Sequence, residues 1–92
     1  MTAREVVIGH QLGLHARVSA KLVQLSSRFD SDIRIAVVNG SHEQVADARS
    51  ILSILLLAAR CGTTVRVLAE GTDEAAAVAA VCGYLETEQS GS

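Results

Sequence analysis

The apolar residues of this chain change period along its length, and the order of those changes limits the folds open to it. Arg4–Ile8 is a short β-branched run closed by Gly9, which reads as a strand. His10–Leu14 carries Gly13 and reads as a loop. From Ala16 to Phe29 the apolar residues fall at Val18, Leu22, Leu25 and Phe29, with Ala16, Ala20 and Val23 beside them. That is one buried helical stripe, and Lys21, Gln24 and Arg28 take the other side. Ile33–Val38 alternates like a strand, and Asn39-Gly40 follows it. Both turn residues tolerate positive φ, so the chain is expected to return as a partner strand over Ser41–Ala46. Asp47 to about Ala58 reads as a second helix capped by Asp47, with Arg60-Cys61-Gly62 closing it. Thr64–Ala69 alternates again. Gly71-Thr72 then turns into a helix from Asp73 to about Glu86, capped by Thr72, with Val78, Val81, Cys82 and Leu85 inward. The order β-α-β-β-α-β-α predicts an α+β domain: one mostly antiparallel sheet with helices on one face.

Ninety-two residues suffice for one core, so a single domain is expected over 1–92, ordered from about 4 to 86, with 87–92 a flexible tail. A content of 49% hydrophobic against 20% charged residues is that of a globular chain. The only aromatic residues are Phe29 and Tyr84, so the core must be aliphatic. Few rings and a net charge of −2 argue against a nucleic-acid partner, which calls for stacking platforms and a basic face. No apolar run approaches the ~20 residues that span a bilayer, and Met1–Glu5 lacks the layout of a secretory signal. The expected location is the cytoplasm, without membrane insertion. Cys61 and Cys82 form no C-x-x-C pair and read as small core residues in a reducing compartment. His10 and His42 have no partners at ligand spacing and read as surface residues. Neither a metal nor a cofactor is expected.

Gly13-Leu14-His15-Ala16-Arg17 lies where a loop enters a helix. His15 takes the N-cap position and Arg17 the first turn. A helix N-terminus exposes unpaired N–H groups and a partial positive charge, which favour an anion such as phosphate. Imidazole is a nucleophile when neutral, and a guanidinium pairs well with phosphoryl oxygens. A phosphoryl group on the ring would sit over the first amides of the helix. On spacing alone, a histidine near an arginine at a helix start is ordinary capping or surface chemistry in most proteins, and these few residues suit many anion-binding sites.

The ordered motifs narrow the choice. Gly13-Leu14-His15-Ala16-Arg17 resembles the G-L-H-x-R-P-A motif of the HPr family, the histidine-containing phosphocarriers of the bacterial phosphoenolpyruvate:sugar phosphotransferase system. Ala48-Arg49-Ser50-Ile51-Leu52 resembles that family's K-S-I-M segment, and Ala69-Glu70-Gly71-Thr72-Asp73-Glu74-Ala75 resembles its A-E-G-x-D-E stretch. The resemblance implies an open-faced β-sandwich of four strands under three helices. It implies phosphorylation of His15 through Nδ1 and phosphoryl stabilisation by Arg17; the amides of Ala16 and Arg17 at the helix start are expected to line the phosphate site, with that of Val18 as an added donor. It implies Enzyme I as donor and an Enzyme II A component as acceptor, with the chain a monomeric carrier, not an enzyme. Ser50 matches the serine phosphorylated by an HPr kinase/phosphorylase, so a regulatory paralogue controlled at Ser50 is the alternative.

Val18 departs from the pattern, which usually has Pro there. Val keeps an N–H that Pro lacks and leaves φ less constrained. Arg49 preserves the usual Lys charge beside Ser50. Residues 51–59 are apolar nearly all round, so one sheet cannot bury them all. Ile51, Leu52 and Leu55 are expected outward as a partner-docking patch, with Ile54 inward. Lys21, Arg28 and Arg49 are expected to steer acidic partners.

Overall fold

The strand over Thr64–Glu70 runs between two others and carries the most regular burial in the chain: Val65, Val67 and Ala69 are buried, each separated by a half-exposed residue. The computed structural model describes residues 1–38 and 44–87. In chain order the elements are β1 (Thr2–Val7), α1 (Ala16–Ser26), β2 (Asp32–Val37), β3 (Gln44–Asp47), α2 (Ile51–Leu57), β4 (Thr64–Glu70) and α3 (Glu74–Glu86). The sheet order is β1-β4-β2-β3, and every neighbouring pair is antiparallel.

Register explains which face is covered. Val6 pairs with Val65, Val67 with Ile35, Ala69 with Ile33, and Ile35 with Ala46. Opposed residues share a face, so these side chains form one apolar floor. The helices close over it with Val18, Leu22, Ile54, Leu57, Val78, Val81 and Leu85. On the other face Glu5 pairs with Arg66 at 3.1 Å, an exposed pair of the kind that adds little stability. The result is the expected open-faced sandwich. Among the described residues no helix is long and apolar enough to cross a membrane.

Several local expectations are corrected. The second helix starts at Ile51, not Asp47. Asp47 instead ends β3 opposite Arg34, and the chain turns at Ala48, whose N–H still bonds to the Ile33 carbonyl at 3.0 Å. The Asp47 carboxylate accepts from the Arg49 amide at 2.9 Å, bending the chain toward Ser50, which is the true N-cap. The last helix is capped at Asp73, not Thr72. α1 ends at Ser26, so Phe29 lies in the turn beyond it while still packing on the core.

Cys61 is exposed while Cys82 is buried. Cys61 stands in the turn that brings Gly62 N–H to the Ile8 carbonyl, and that turn uses backbone rather than side chain. His10 is 4% exposed, not a surface residue. Its burial is tolerated because the ring finds a polar partner on α3. Asn39-Gly40 and His42 lie outside the described residues, as does the start of the second hairpin strand.

Candidate functional site

Gly13 sets the approach to the site. Its φ is +69°, and a Cβ there would stand 2.4 Å from the Ala59 carbonyl oxygen. Only glycine accepts both conditions easily. Leu14 follows, with its N–H donating to that same Ala59 carbonyl at 2.9 Å and its own carbonyl accepting from the Ser19 hydroxyl at 3.1 Å. The Leu14 side chain is buried. The residue before His15 is therefore held at both backbone groups and by packing.

His15 is the N-cap of α1, in extended backbone at φ −78°, ψ −179°. Its carbonyl accepts the first helical bond, from Ser19 N–H at 2.8 Å. Its ring turns back over the helix start, and Nδ1 accepts from the Arg17 N–H at 3.3 Å. An accepting Nδ1 carries a lone pair, so the neutral ring holds its hydrogen on Nε2. Nδ1 thus faces the positive end of the helix. The amides of Ala16 and Val18 have no acceptor among the described residues, and Arg17 is exposed with no ion pair among them. The arrangement can hold an oxyanion on Nδ1 against backbone amides with a guanidinium at hand. Val18 itself is buried against the core.

The chain matches the family model for the PTS HPr component phosphorylation site over residues 2–87. It belongs to the HPr family. It is 41% identical over 85 residues to the phosphocarrier protein NPr of Shewanella violacea, covering 92% of this chain and 89% of that one. It is 42% identical over 85 residues to the phosphocarrier protein HPr of Cupriavidus necator, covering 92% and 91%. Among solved structures, an HPr from Thermoanaerobacter tengcongensis superposes with a TM-score of 0.82 at 35% identity, covering 94% of this chain and 92% of that one. Crh of Bacillus subtilis, described as a swapped, intertwined dimer, superposes with a TM-score of 0.73 at 31% identity, covering 97% and 98%. This is a phosphocarrier fold by both sequence and structure.

The other residues singled out in this HPr-family chain lie on α2 and at its start, on α1 and just past its end. Ser50 caps α2, its hydroxyl accepting from the Ser53 N–H at 3.3 Å. Ile51 (42%), Leu52 (64%) and Leu55 (37%) are exposed while Ile54 is fully buried, and Leu56 at 72% extends the patch. Lys21 and Arg28 are exposed on α1 and just past its end. Arg49 is differently engaged: its guanidinium donates to the carbonyls of Phe29 and, at 3.1 Å, Ser31.

Two features were not anticipated from the sequence. The Asp73 carboxylate accepts from the amides of Asp30 (2.9 Å) and Ser31 (3.0 Å) and from the Ser31 hydroxyl (2.5 Å). The Ser31 hydroxyl is the largest cause holding that carboxyl below its usual range. Asp73 and Arg49 thus pin the turn after α1 from two sides. The second feature is His10, whose Nε2 lies 2.7 Å from the Tyr84 carbonyl with its ring against the Tyr84 ring. Neither leaves a local sequence signal, because the His10 partner lies 74 positions away and the Asp73 partners 42 and 43.

Proposed function

We propose that this protein accepts a phosphoryl group on His15 Nδ1 from Enzyme I, with phosphoenolpyruvate as ultimate donor, and passes it to an Enzyme II A component. The observation that carries the reading is the Nδ1 lone pair lying over the N-terminal amides of α1. In the transfer, Nδ1 attacks phosphorus in line as the bond to the donor's leaving atom breaks. The electron pair leaves with the donor, and the ring's hydrogen remains on Nε2. The Arg17 amide then changes partner, from the ring nitrogen to a phosphoryl oxygen. The amides of Ala16 and Val18 and the Arg17 guanidinium add to the same charge. The second transfer reverses the geometry, so the chain is regenerated rather than acting as an enzyme, and it works in the cytoplasm as a monomer. Ile51, Leu52 and Leu55 dock partners, with Leu56 extending their surface, and Lys21, Arg28 and Arg49 add positive charge toward acidic ones.

A second reading rests on Ser50. Its hydroxyl caps α2 directly beside exposed Ile51 and Leu52. A phosphate added there by an HPr kinase/phosphorylase suits the helix start but sets negative charge at the edge of the docking patch. A Ser50→Asp variant with reduced transfer supports this regulation, and one with unchanged transfer removes it.

The test of the carrier reading is intact mass after incubation with phosphoenolpyruvate and Enzyme I, beside His15→Ala. The expected result is one acid-labile phosphoryl group on the native chain and none on the variant. A folded native chain that gains nothing from a cognate Enzyme I, or a variant that still gains one, overturns it.

A further inference from the structure

We infer that His10 is a positioning residue for the His15 imidazole. The inference rests on the carrier reading above for its kinetic consequence, and on geometry for its structural one. A carbonyl can only accept, so the 2.7 Å contact with Tyr84 O puts a hydrogen on His10 Nε2. The ring is also held against Tyr84 with centroids 4.9 Å apart. These two contacts fix the ring to the C-terminal end of α3, 4% exposed. The same residue's carbonyl accepts from Gly13 N–H at 2.8 Å, closing a tight turn. Gly13 O in turn accepts from His15 N–H at 2.9 Å. A continuous hydrogen-bonded path therefore runs from α3 through His10 and Gly13 to the backbone of the phosphoryl acceptor. Gly9 N–H, bonded to the Leu85 carbonyl at 2.9 Å, anchors the path's other end to the same helix turn. The Leu14–Ala59 bond fixes the loop toward α2, and His10 fixes it toward α3.

The role predicts that His10 matters through its donor, not only its bulk. His10→Phe keeps a ring of similar size and loses the donor. His10→Gln keeps an N–H at similar reach and loses the ring. Two readouts on folded protein separate positioning from general stability. One is the 15N shift pattern of the His15 ring, which reports how much of the neutral form keeps its hydrogen on Nε2. The other is phosphorylation by Enzyme I, split into kcat and KM. His10→Phe is expected to shift the His15 tautomer balance and lower kcat by ~10–100-fold, the scale of a misplaced reacting group, with KM little changed. His10→Gln is expected to restore most of both. His10→Leu replaces the Phe variant in the comparison should that one not fold. An unchanged His15 ring pattern in a folded donor-less variant overturns the inference, as does a Gln variant no better than Phe. If the native chain takes no phosphoryl group, the carrier reading falls, and the ring pattern alone still decides the role of His10.

Discussion

The amide of Arg17 and Nδ1 of His15 lie 3.3 Å apart, donor to acceptor, inside the first turn of α1. The backbone of Arg17 therefore orients the imidazole of His15, while its side chain remains exposed. These two contributions can be separated. Arg17→Ala keeps the amide and removes the guanidinium. The variant is expected to retain native stability to within ~0.5 kcal/mol, as for an exposed site. Its phosphoryl transfer is expected to fall on the order of 100-fold, as when one preorganised donor is lost. Chemical denaturation and rapid-quench transfer assays measure the two effects on the same sample.

Gly13→Ala tests the approach to the site. The new Cβ meets the Ala59 carbonyl at 2.4 Å, and φ of +69° disfavours any L side chain. The conformational term alone is about 1–2 kcal/mol, and the clash adds to it. A loss of more than about 2 kcal/mol in urea unfolding is expected, together with slower transfer because the Leu14–Ala59 bond must stretch.

Asp73 makes stability depend on pH. Its folded carboxyl titrates below the usual range because Ser31 and Asp30 donate to its charged form. A lowered folded pKa contributes stability that is present above the unfolded value, about 3.9, and disappears as pH falls through the folded value. Asp73→Asn should therefore melt at lower temperature than the native chain near neutral pH. The two should converge in acid, once Asp73 is protonated in both folded and unfolded states. Thermal unfolding by circular dichroism across pH 2–7 checks the convergence.

Leu52 and Ile54, two residues apart on α2, should respond oppositely. Leu52 is 64% exposed and Ile54 fully buried. Leu52→Glu is expected to leave stability nearly unchanged and to weaken transfer to and from partners. Ile54→Ala is expected to cost about 2–5 kcal/mol through the cavity it leaves. Equal effects on stability would mean that the exposed residue has a packing role the fold does not display.

Where the sequence was sufficient, periodicity carried the information. The alternation at Val65 and Val67 and the stripe through Val18 and Leu22 each place a face without knowledge of the rest of the chain. His15 at a helix start was legible for the same reason, since capping is a local property. Cys61, His10 and Asp47 were misread because their surroundings come from distant segments. A thiol in a backbone-driven turn, an imidazole that meets a carbonyl on the last helix and an aspartate held in strand register each depend on partners between 13 and 74 positions away. Asp73 belongs with them: its ligands lie more than forty positions upstream. Such polar contacts leave no periodic trace.

On the carrier reading, the cargo and the helix cap occupy the same place. In the unloaded chain the imidazole of His15 satisfies the Arg17 amide, and in the loaded chain a phosphoryl oxygen does. Thermodynamic linkage then joins two quantities usually considered apart. Whatever the phosphoryl group adds to the folding stability of the chain, it subtracts from its own tendency to leave for the next acceptor. A looser start to α1 would raise that leaving tendency at the expense of the fold, and a tighter one would turn a carrier into a store. Val18, which constrains φ less than the family's usual Pro, stands at the turn where that balance is set.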